Sequence, residues 1–329
     1  MFKVIFKKYF LASLLLGSLA FSSFQVCAAQ DDAWLLLQKA SQAARELSYK
    51  GIFVYQSGAT SKSVQLTHMN SGQGEFARMV VLDGAPREVL SQGSDVAIFS
   101  PKNEKVMIEK KRGQNMFPAL LPSNMDALKV GYQIQTNGAE RIGGREATIV
   151  NLIAKDQMRY GYRFWVDKEF GLLLKVVTLN KQGELLEQIG FNQLTLMEGQ
   201  SMDWFKPKFD PSKSYEMDHD GPTKTSQTEI DWQVTQLPAG YRKVDQVKQF
   251  VQGKALPVTQ MIFSDGLASI SVFIEPIPKG TKSKVGHTLV GATNFYASVN
   301  EGHQVMVIGE APEAAVTQFA NSVNFKNKK

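Results

Sequence analysis

Cysteine is almost missing from this chain: Cys27 is the only one in 329 residues. It sits at the end of a segment that reads as an export signal, so the rest of the chain has no disulfide, no thiol chemistry and no cysteine-ligated metal. An exported protein without disulfides must be held by its core, and a chain of this length can supply one. Histidine is scarce too, with four copies at His68, His219, His287 and His303. Metal sites need ligands clustered at helix or hairpin spacing. Only "MDHDG", which places Asp218, His219 and Asp220 side by side, brings candidates together. It lies in a polar, proline-containing stretch where adjacent side chains diverge, so it reads as solvated chain, and no metal or cofactor is expected. The phosphate-binding patterns G-x-G-x-x-G and G-x-x-x-x-G-K are absent. So is the G-x-S-x-G nucleophile elbow. Beyond the first thirty residues no apolar run is long enough to span a bilayer. The net charge of +6 falls to about +3 once the three lysines of residues 1–29 are removed, and that segment holds no acids. Such a balance says little about partners and does not point to nucleic acid.

What is present begins with that segment. Lys3, Lys7 and Lys8 precede the apolar stretch "YFLASLLLGSLAFSSF", and small residues follow at Ala28 and Ala29. This is the pattern of a secretory signal peptide over residues 1–29, cleaved after Ala28 or Ala29; the alternative is an uncleaved membrane anchor. Phe24, Gln25 and Val26 do not fit the residues expected ahead of a lipid-modified cysteine, so Cys27 is expected to leave with the signal.

Residues 31–48, "DDAWLLLQKASQAARELS", carry Trp34, Leu37, Ala40, Ala44 and Leu47 at helical spacing behind two acids that suit a helix N-terminus. About eleven short strands follow up to residue 200, spaced roughly ten residues apart and separated by turn residues, which predicts an antiparallel sandwich or barrel. Pro118 and Pro122 interrupt them, with a short helix expected near Ser123 as its N-cap. No alternating βα rhythm appears, which argues against a parallel doubly wound sheet. Residues 206–229 hold three prolines and few apolar groups and read as a linker between a domain at 30–205 and a smaller one at 230–329. The smaller domain starts at "IDWQVTQLPAGYRKV", holds a hairpin over Thr259–Pro276 and closes with a helix over "APEAAVTQFANSVNF", with Pro312 near its first turn.

Two features could carry chemistry. In "TQMIFSDGLASISVFIEP", Ser264 and Asp265 could join His287 or His303 as a hydrolytic set, since such a set need not be contiguous. Asp265-Gly266 between two alternating runs also suits a type I′ turn at the tip of a hairpin, which needs no catalytic role. Ala268, Ile270, Val272 and Ile274 would then face one side, and Ser269, Ser271 and Phe273 the other. The second feature is the number of large residues on the strands, including Phe53, Phe76, Met79, Phe99, Met107, Phe164 and Trp165. They are core in one reading; in the other, a curved sheet that is not fully filled holds a ligand. Lys110, Lys111 and Arg112 beside Met116 and Phe117 would suit the rim of a lipid site, or a solvated strand end.

The segment "YRFWVDKEFGLLLKVVTLNKQGELLEQIGFNQL", with Trp165-Val166-Asp167 ahead of Gly171–Lys175, resembles the LolA/LolB-like lipoprotein carriers. Together with the signal peptide, the linker and the runs "FSDGLASISVFIE", "GATNFYA" and "VMVIGEAP", the whole chain resembles the MucB/RseB family. The resemblance implies an α+β, mostly antiparallel fold: an unclosed half-barrel with helices on its concave side, and a small C-terminal antiparallel sheet with a helix. It implies a periplasmic, non-enzymatic negative regulator of the sigma-E envelope stress response. Such a protein binds the periplasmic region of a membrane anti-sigma factor and shields it from a site-1 protease. It lets go when lipopolysaccharide or lipoprotein acyl chains bind. Phe53, Met79, Phe99, Met107, Met116, Phe117 and Trp165 are the expected lipid contacts, and Phe263, Asp265, Leu267 and Phe273 the expected partner contacts. A homo-oligomer stays open. The alternatives are a lipoprotein or lipid carrier, which would not need the second domain, and an exported serine hydrolase built on Ser264 and Asp265.

Overall fold

A computed structural model describes residues 30–72, 74–93, 95–100, 105–110, 115–199, 201–206, 216–218, 232–249 and 256–325. The segment read as a signal peptide, Lys111, Arg112, His219 and Asp220 therefore lie outside the described residues.

Helix α1 spans residues 30–46. Its buried side chains Ala33, Leu37, Ala40 and Ala44 recur at helical spacing and join the core of a large sheet. The strands of that sheet are β1 (Tyr49–Ser57), β2 (Thr60–Ser71), β3 (Gly74–Val81), β4 (Glu88–Gln92), β5 (Asp95–Ser100) and β6 (Lys105–Lys110), then β7 (Tyr132–Ile142), β8 (Arg145–Ala154), β9 (Gly161–Asp167), β10 (Leu173–Leu179) and β11 (Leu185–Leu196). Spatial order runs β6-β5-β4-β3-β2-β1-β11-β10-β9-β8-β7, antiparallel throughout and open at β7. At the other end β12 (Glu216–Asp218) pairs in parallel with Lys105–Met107 of β6. The stretch read from sequence as linker thus adds a strand to the sheet.

A short helix, α2 (Asp126–Gly131), lies between β6 and β7. Ser123 is not its cap: the helix starts three residues later, and the Asn124 side chain accepts the Asp126 N–H at 2.7 Å. The segment ahead of α2 is tied to α1, because Ser41 and Arg45 donate to the carbonyls of Leu121 and Pro122. The Trp-Val-Asp run also finds its reason here. Asp167, buried at the end of β9, accepts the N–H groups of Glu169 and Phe170 at 2.9 and 2.7 Å and pairs with Arg145. Its carboxylate closes the β9–β10 turn, which Gly171 completes with a φ of 75°.

The second domain has its own core. Strands β13 (Trp232–Val234), β14 (Arg242–Gln249), β15 (Val258–Ser264), β16 (Ser269–Pro276), β17 (Gly286–Val290), β18 (Thr293–Asn300) and β19 (His303–Gly309) precede α3 (Glu313–Asn321) and β20 (Val323–Phe325). Six of them form the sheet β14-β15-β16-β19-β18-β17, and β13 pairs with β20. Pro312 is the N-cap of α3, and Val323–Phe325, read from sequence as helix, is a strand. Phe319 of α3 packs on Phe263 and Tyr241.

The two domains meet at one buried ion pair. Arg159, in the β8–β9 loop, donates to Asp265 at the β15–β16 turn at 3.2 Å, and both side chains are fully buried. Arg159 also donates to both carboxylate oxygens of Asp156 at 3.0 Å and to the Ala239 carbonyl at 2.5 Å. Its guanidinium carbon lies 5.4 and 5.3 Å from the ring centres of Tyr132 and Tyr241, one from each domain. Asp265 accepts the Leu267 and Ala268 N–H groups on one oxygen and the Tyr132 hydroxyl and Arg159 on the other. Gly131 leaves the space: a Cβ there would sit 1.8 Å from an Arg159 Nη1. Around the pair the domains exchange side chains, Leu267 packing on the large-sheet core and Met158 on the small-sheet core.

This corrects the turn expected from sequence. A type I′ turn needs positive φ at both central residues. Here only Gly266 has it, at 106°, and four residues separate Ser264 from its partner Ser269. The Asp265 carboxylate, accepting two N–H groups of its own loop, makes the longer turn the stable one.

Breaking a buried pair from one side strands a charge and costs about 3–5 kcal/mol. Arg159→Ala should therefore split the thermal unfolding of the mature protein into two transitions in calorimetry, and Gly131→Ala should do the same by displacing the guanidinium. A single unshifted transition in both would contradict this role. A second expectation concerns alkali. Burial raises the hydroxyl pKa of Tyr49, Tyr132, Tyr162 and Tyr241 well above 10, and burial with the Glu187 hydrogen bond pushes Tyr55 to about 12. These folded values exceed the unfolded value near 10, so the unfolded chain gives up protons first and stability falls as pH rises through 10. Absorbance at 295 nm should show these phenolates appearing together with unfolding rather than before it.

Candidate cavity between the two domains

A cavity of about 450 Å³ opens where the large sheet meets the second domain. Its floor follows from strand register. Phe164, Val176, Ile189, Tyr55 and Lys62 are successive cross-strand partners on β9, β10, β11, β1 and β2. Because side chains alternate along a strand, their neighbours two residues away share the same face. These are Tyr162, Thr178, Glu187, Phe53 and Val64, which also line the cavity. The row runs from buried Phe164 to exposed Lys62, apolar at the closed end and polar at the mouth. Phe117 covers it from the 115–125 segment, its ring 5.3 Å from Phe53 and 5.0 Å from Phe191. The remaining wall belongs to the second domain: Leu267, Ser269 and Glu310.

The polar groups gather at the mouth. Tyr55 donates its hydroxyl to Glu187 at 2.8 Å. Glu310 keeps access to solvent, yet the protein packed around it and the nearby Glu187 carboxylate raise its pKa. A volume of this size with an apolar floor and a few polar groups at one end suits an amphiphile, with its hydrocarbon inside.

Of the seven residues expected to touch lipid, Phe53, Met79, Met116 and Phe117 line this cavity. Trp165 does not. It points to the other face of β9, where its Nε1–H donates to Glu140 at 2.7 Å and Lys175 lies over its ring. Phe99 and Met107, half-buried on β5 and β6, lie outside the cavity as well. Large residues on a two-faced sheet carry no sign of which face they serve until register is known, so composition does not separate the two sets. Phe164, one of the large strand residues named from sequence, lines the cavity too; Tyr162, Val176 and Ile189 carry only the signal of their period-two spacing with Thr178 and Glu187.

The four expected partner contacts separate in a similar way. Phe263 is buried in the core of the second domain, and Asp265 is consumed by the ion pair, so neither offers a surface. Leu267 lines the cavity, and Phe273 is half-buried on β16. The hydrolytic set is not assembled. Ser264 donates to the Ala268 carbonyl and accepts the Gly266 N–H, while His287 contacts Asn294 and His303 packs edge-on against Trp232. Among the described residues no group of three or more His, Cys, Asp or Glu side chains could hold a metal ion. None of their helices is long and apolar enough to cross a membrane.

Comparison with known proteins bears on the same two domains. The model of the MucB/RseB N-terminal domain matches residues 32–209, and that of the MucB/RseB C-terminal domain matches residues 226–324. The sigma-E factor regulatory protein RseB of Haemophilus influenzae is 26% identical over 319 residues, covering 95% of this chain and 96% of that protein. The sigma factor AlgU regulatory protein MucB of Pseudomonas aeruginosa is 28% identical over 317 residues, 94% of this chain and 95% of that one. A crystal structure of MucB in complex with MucA(peri) shares the fold, with a TM-score of 0.73 at 24% identity over 90% of this chain and all of that one. Matched in both domains and along nearly its whole length, the chain belongs to the MucB/RseB family, whose members are regulatory proteins and not enzymes.

Proposed function

We propose that this protein is a periplasmic negative regulator of a sigma-E-type envelope stress response. It binds the periplasmic region of a membrane anti-sigma factor, protects it from site-1 proteolysis, and releases it when acyl chains of lipopolysaccharide or lipoprotein enter the cavity. Support for a polypeptide partner comes from the relatives, which regulate sigma factors and include MucB solved in complex with MucA(peri). Support for export comes from the N-terminal pattern of Lys3, Lys7, Lys8 and the apolar stretch behind them.

The observation that carries the switch is the composition of the cavity wall. Leu267 lies on the turn that clasps the two domains and Ser269 opens β16 directly behind it, both within four residues of Asp265. A chain that fills the cavity pushes on that turn. It then favours a domain arrangement different from the one the anti-sigma segment selects, and linkage makes the two ligands oppose each other. A lipid carrier would need only the large sheet; here the second domain closes the cavity, which favours the regulator.

The decisive experiment mixes the mature protein with the periplasmic region of its cognate anti-sigma factor and adds the site-1 protease. Cleavage should be slow until lipopolysaccharide or a lipoprotein is added, then fast. Cleavage at the same rate with and without the protein would sink the reading. Chain-length dependence tests the cavity separately. Each buried methylene contributes about 0.8 kcal/mol, so fatty-acid affinity should rise about fourfold per methylene until the cavity is full. Val176→Trp should abolish that trend, and Trp165→Phe should leave it intact.

A further inference from the structure

Residues 278–291, "PKGTKSKVGHTLVG", are exposed without a break. The run carries Lys279, Lys282 and Lys284 and no acid. It is nevertheless held in place. The buried Gln304 side chain accepts the Lys284 N–H and donates to the Lys284 carbonyl, both at 2.7 Å. The run then enters β17, the edge of the small sheet, which among the described residues pairs only with β18 and in unbroken register.

An edge strand leaves a row of backbone N–H and C=O groups unpaired, and proteins usually blunt it with a lysine, a proline or a bulge on the strand. β17 has none of these over Gly286–Val290. Apolar side chains on it and just ahead of it are open instead: Val285 is 73% exposed, Leu289 53% and Val290 64%. The lysines stand just ahead of the strand rather than on it. They do not block pairing, and they place a charge of +3 beside the open edge.

We propose that β17 is a docking edge for an extended, acidic segment of a partner protein, which joins the small sheet as a further strand. Its backbone pairs with β17, its apolar side chains cover Val285, Leu289 and Val290, and its acids face Lys279, Lys282 and Lys284. The sign of the charge selects this occupant. A second copy of the chain would bring two +3 runs together, and a lipid surface would leave the backbone groups of β17 unpaired. The site is separate from the cavity and does not depend on what fills it.

The test uses the full mature protein and two capped twelve-residue peptides, one alternating Glu with Val, Ile and Thr, the other with Lys in place of Glu. The acidic peptide should bind in fluorescence anisotropy and the basic one should not. On binding, amide exchange should slow at least tenfold at the outward-facing amides of residues 286–290. The triple variant Lys279→Glu, Lys282→Glu, Lys284→Glu should weaken binding at least tenfold with an unchanged melting midpoint. Failure of the acidic peptide to bind, equal binding of both peptides, or protection confined to another strand would overturn the proposal. So would self-association through β17 without peptide, or capture by anionic vesicles in preference to the peptide.

Discussion

The Arg159–Asp265 pair is the buried ion pair that joins the two halves of this molecule, with Leu267 and Met158 packed across the junction beside it. Two opposite charges have been taken out of water, and their attraction alone does not offset that cost. The surroundings supply the rest. Asp265 accepts four hydrogen bonds, two from its own turn, and Arg159 spends four of its N–H groups on Asp156, Ala239 and Asp265 between two tyrosine rings. Burial nevertheless raises the Asp265 pKa above the usual carboxylate range; the two N–H groups, Arg159 and Tyr132 offset that rise only in part. For Arg159, burial pulls down, but Asp156 and Asp265 outweigh it and the pKa rises. The clasp is thus specific and, for its aspartate, costly. A junction of that kind holds one arrangement while conditions suit it and has less to lose when another becomes available.

The cavity touches this junction directly. One wall is sheet, set by the register of β9, β10, β11, β1 and β2; the other is the turn that bears Asp265. Within the proposed function this is the link between lipid and partner. An acyl chain does not have to contact the anti-sigma segment to displace it; it has only to bind better when the turn has moved. Two carboxylates, Glu187 and Glu310, stand at the mouth, and among the described residues Lys62 is the only basic one that lines the cavity.

Much of the fold was legible in the chain. The α1 stripe, the eleven strands and their antiparallel pairing follow from apolar periodicity and turn residues, whereas the pairing of β1 with β11 that sets the spatial order and the open sheet does not. The inner face of the sheet was half legible: Phe53, Met79, Met116 and Phe117 line the cavity, whereas Trp165 serves the opposite face, a distinction fixed by cross-strand register and not by composition. The clasp was not legible. Asp265 looked like a turn residue or half of an active site, and it is a turn residue whose second oxygen reaches 106 positions back to Arg159. Nothing near Arg159 in "DQMRYGY" marks it, and Gly131 is glycine for the space its neighbour needs, which only the folded chain reveals. Long-range polar pairs have no period, so pattern reading passes over them.

The central claim is that filling the cavity changes how the domains sit across the clasp. With residues 1–29, and with them Cys27, left out, a chain with Lys181→Cys and Asn321→Cys can be spin-labelled at two exposed positions, one in each domain. Pulsed electron-spin distance measurement on this protein, with and without a saturating long-chain fatty acid, tests the claim directly. The account predicts a new or shifted distance population on adding lipid, with the same population present before lipid in Arg159→Ala. One unchanged distance in all three samples, with lipid binding confirmed, would contradict it.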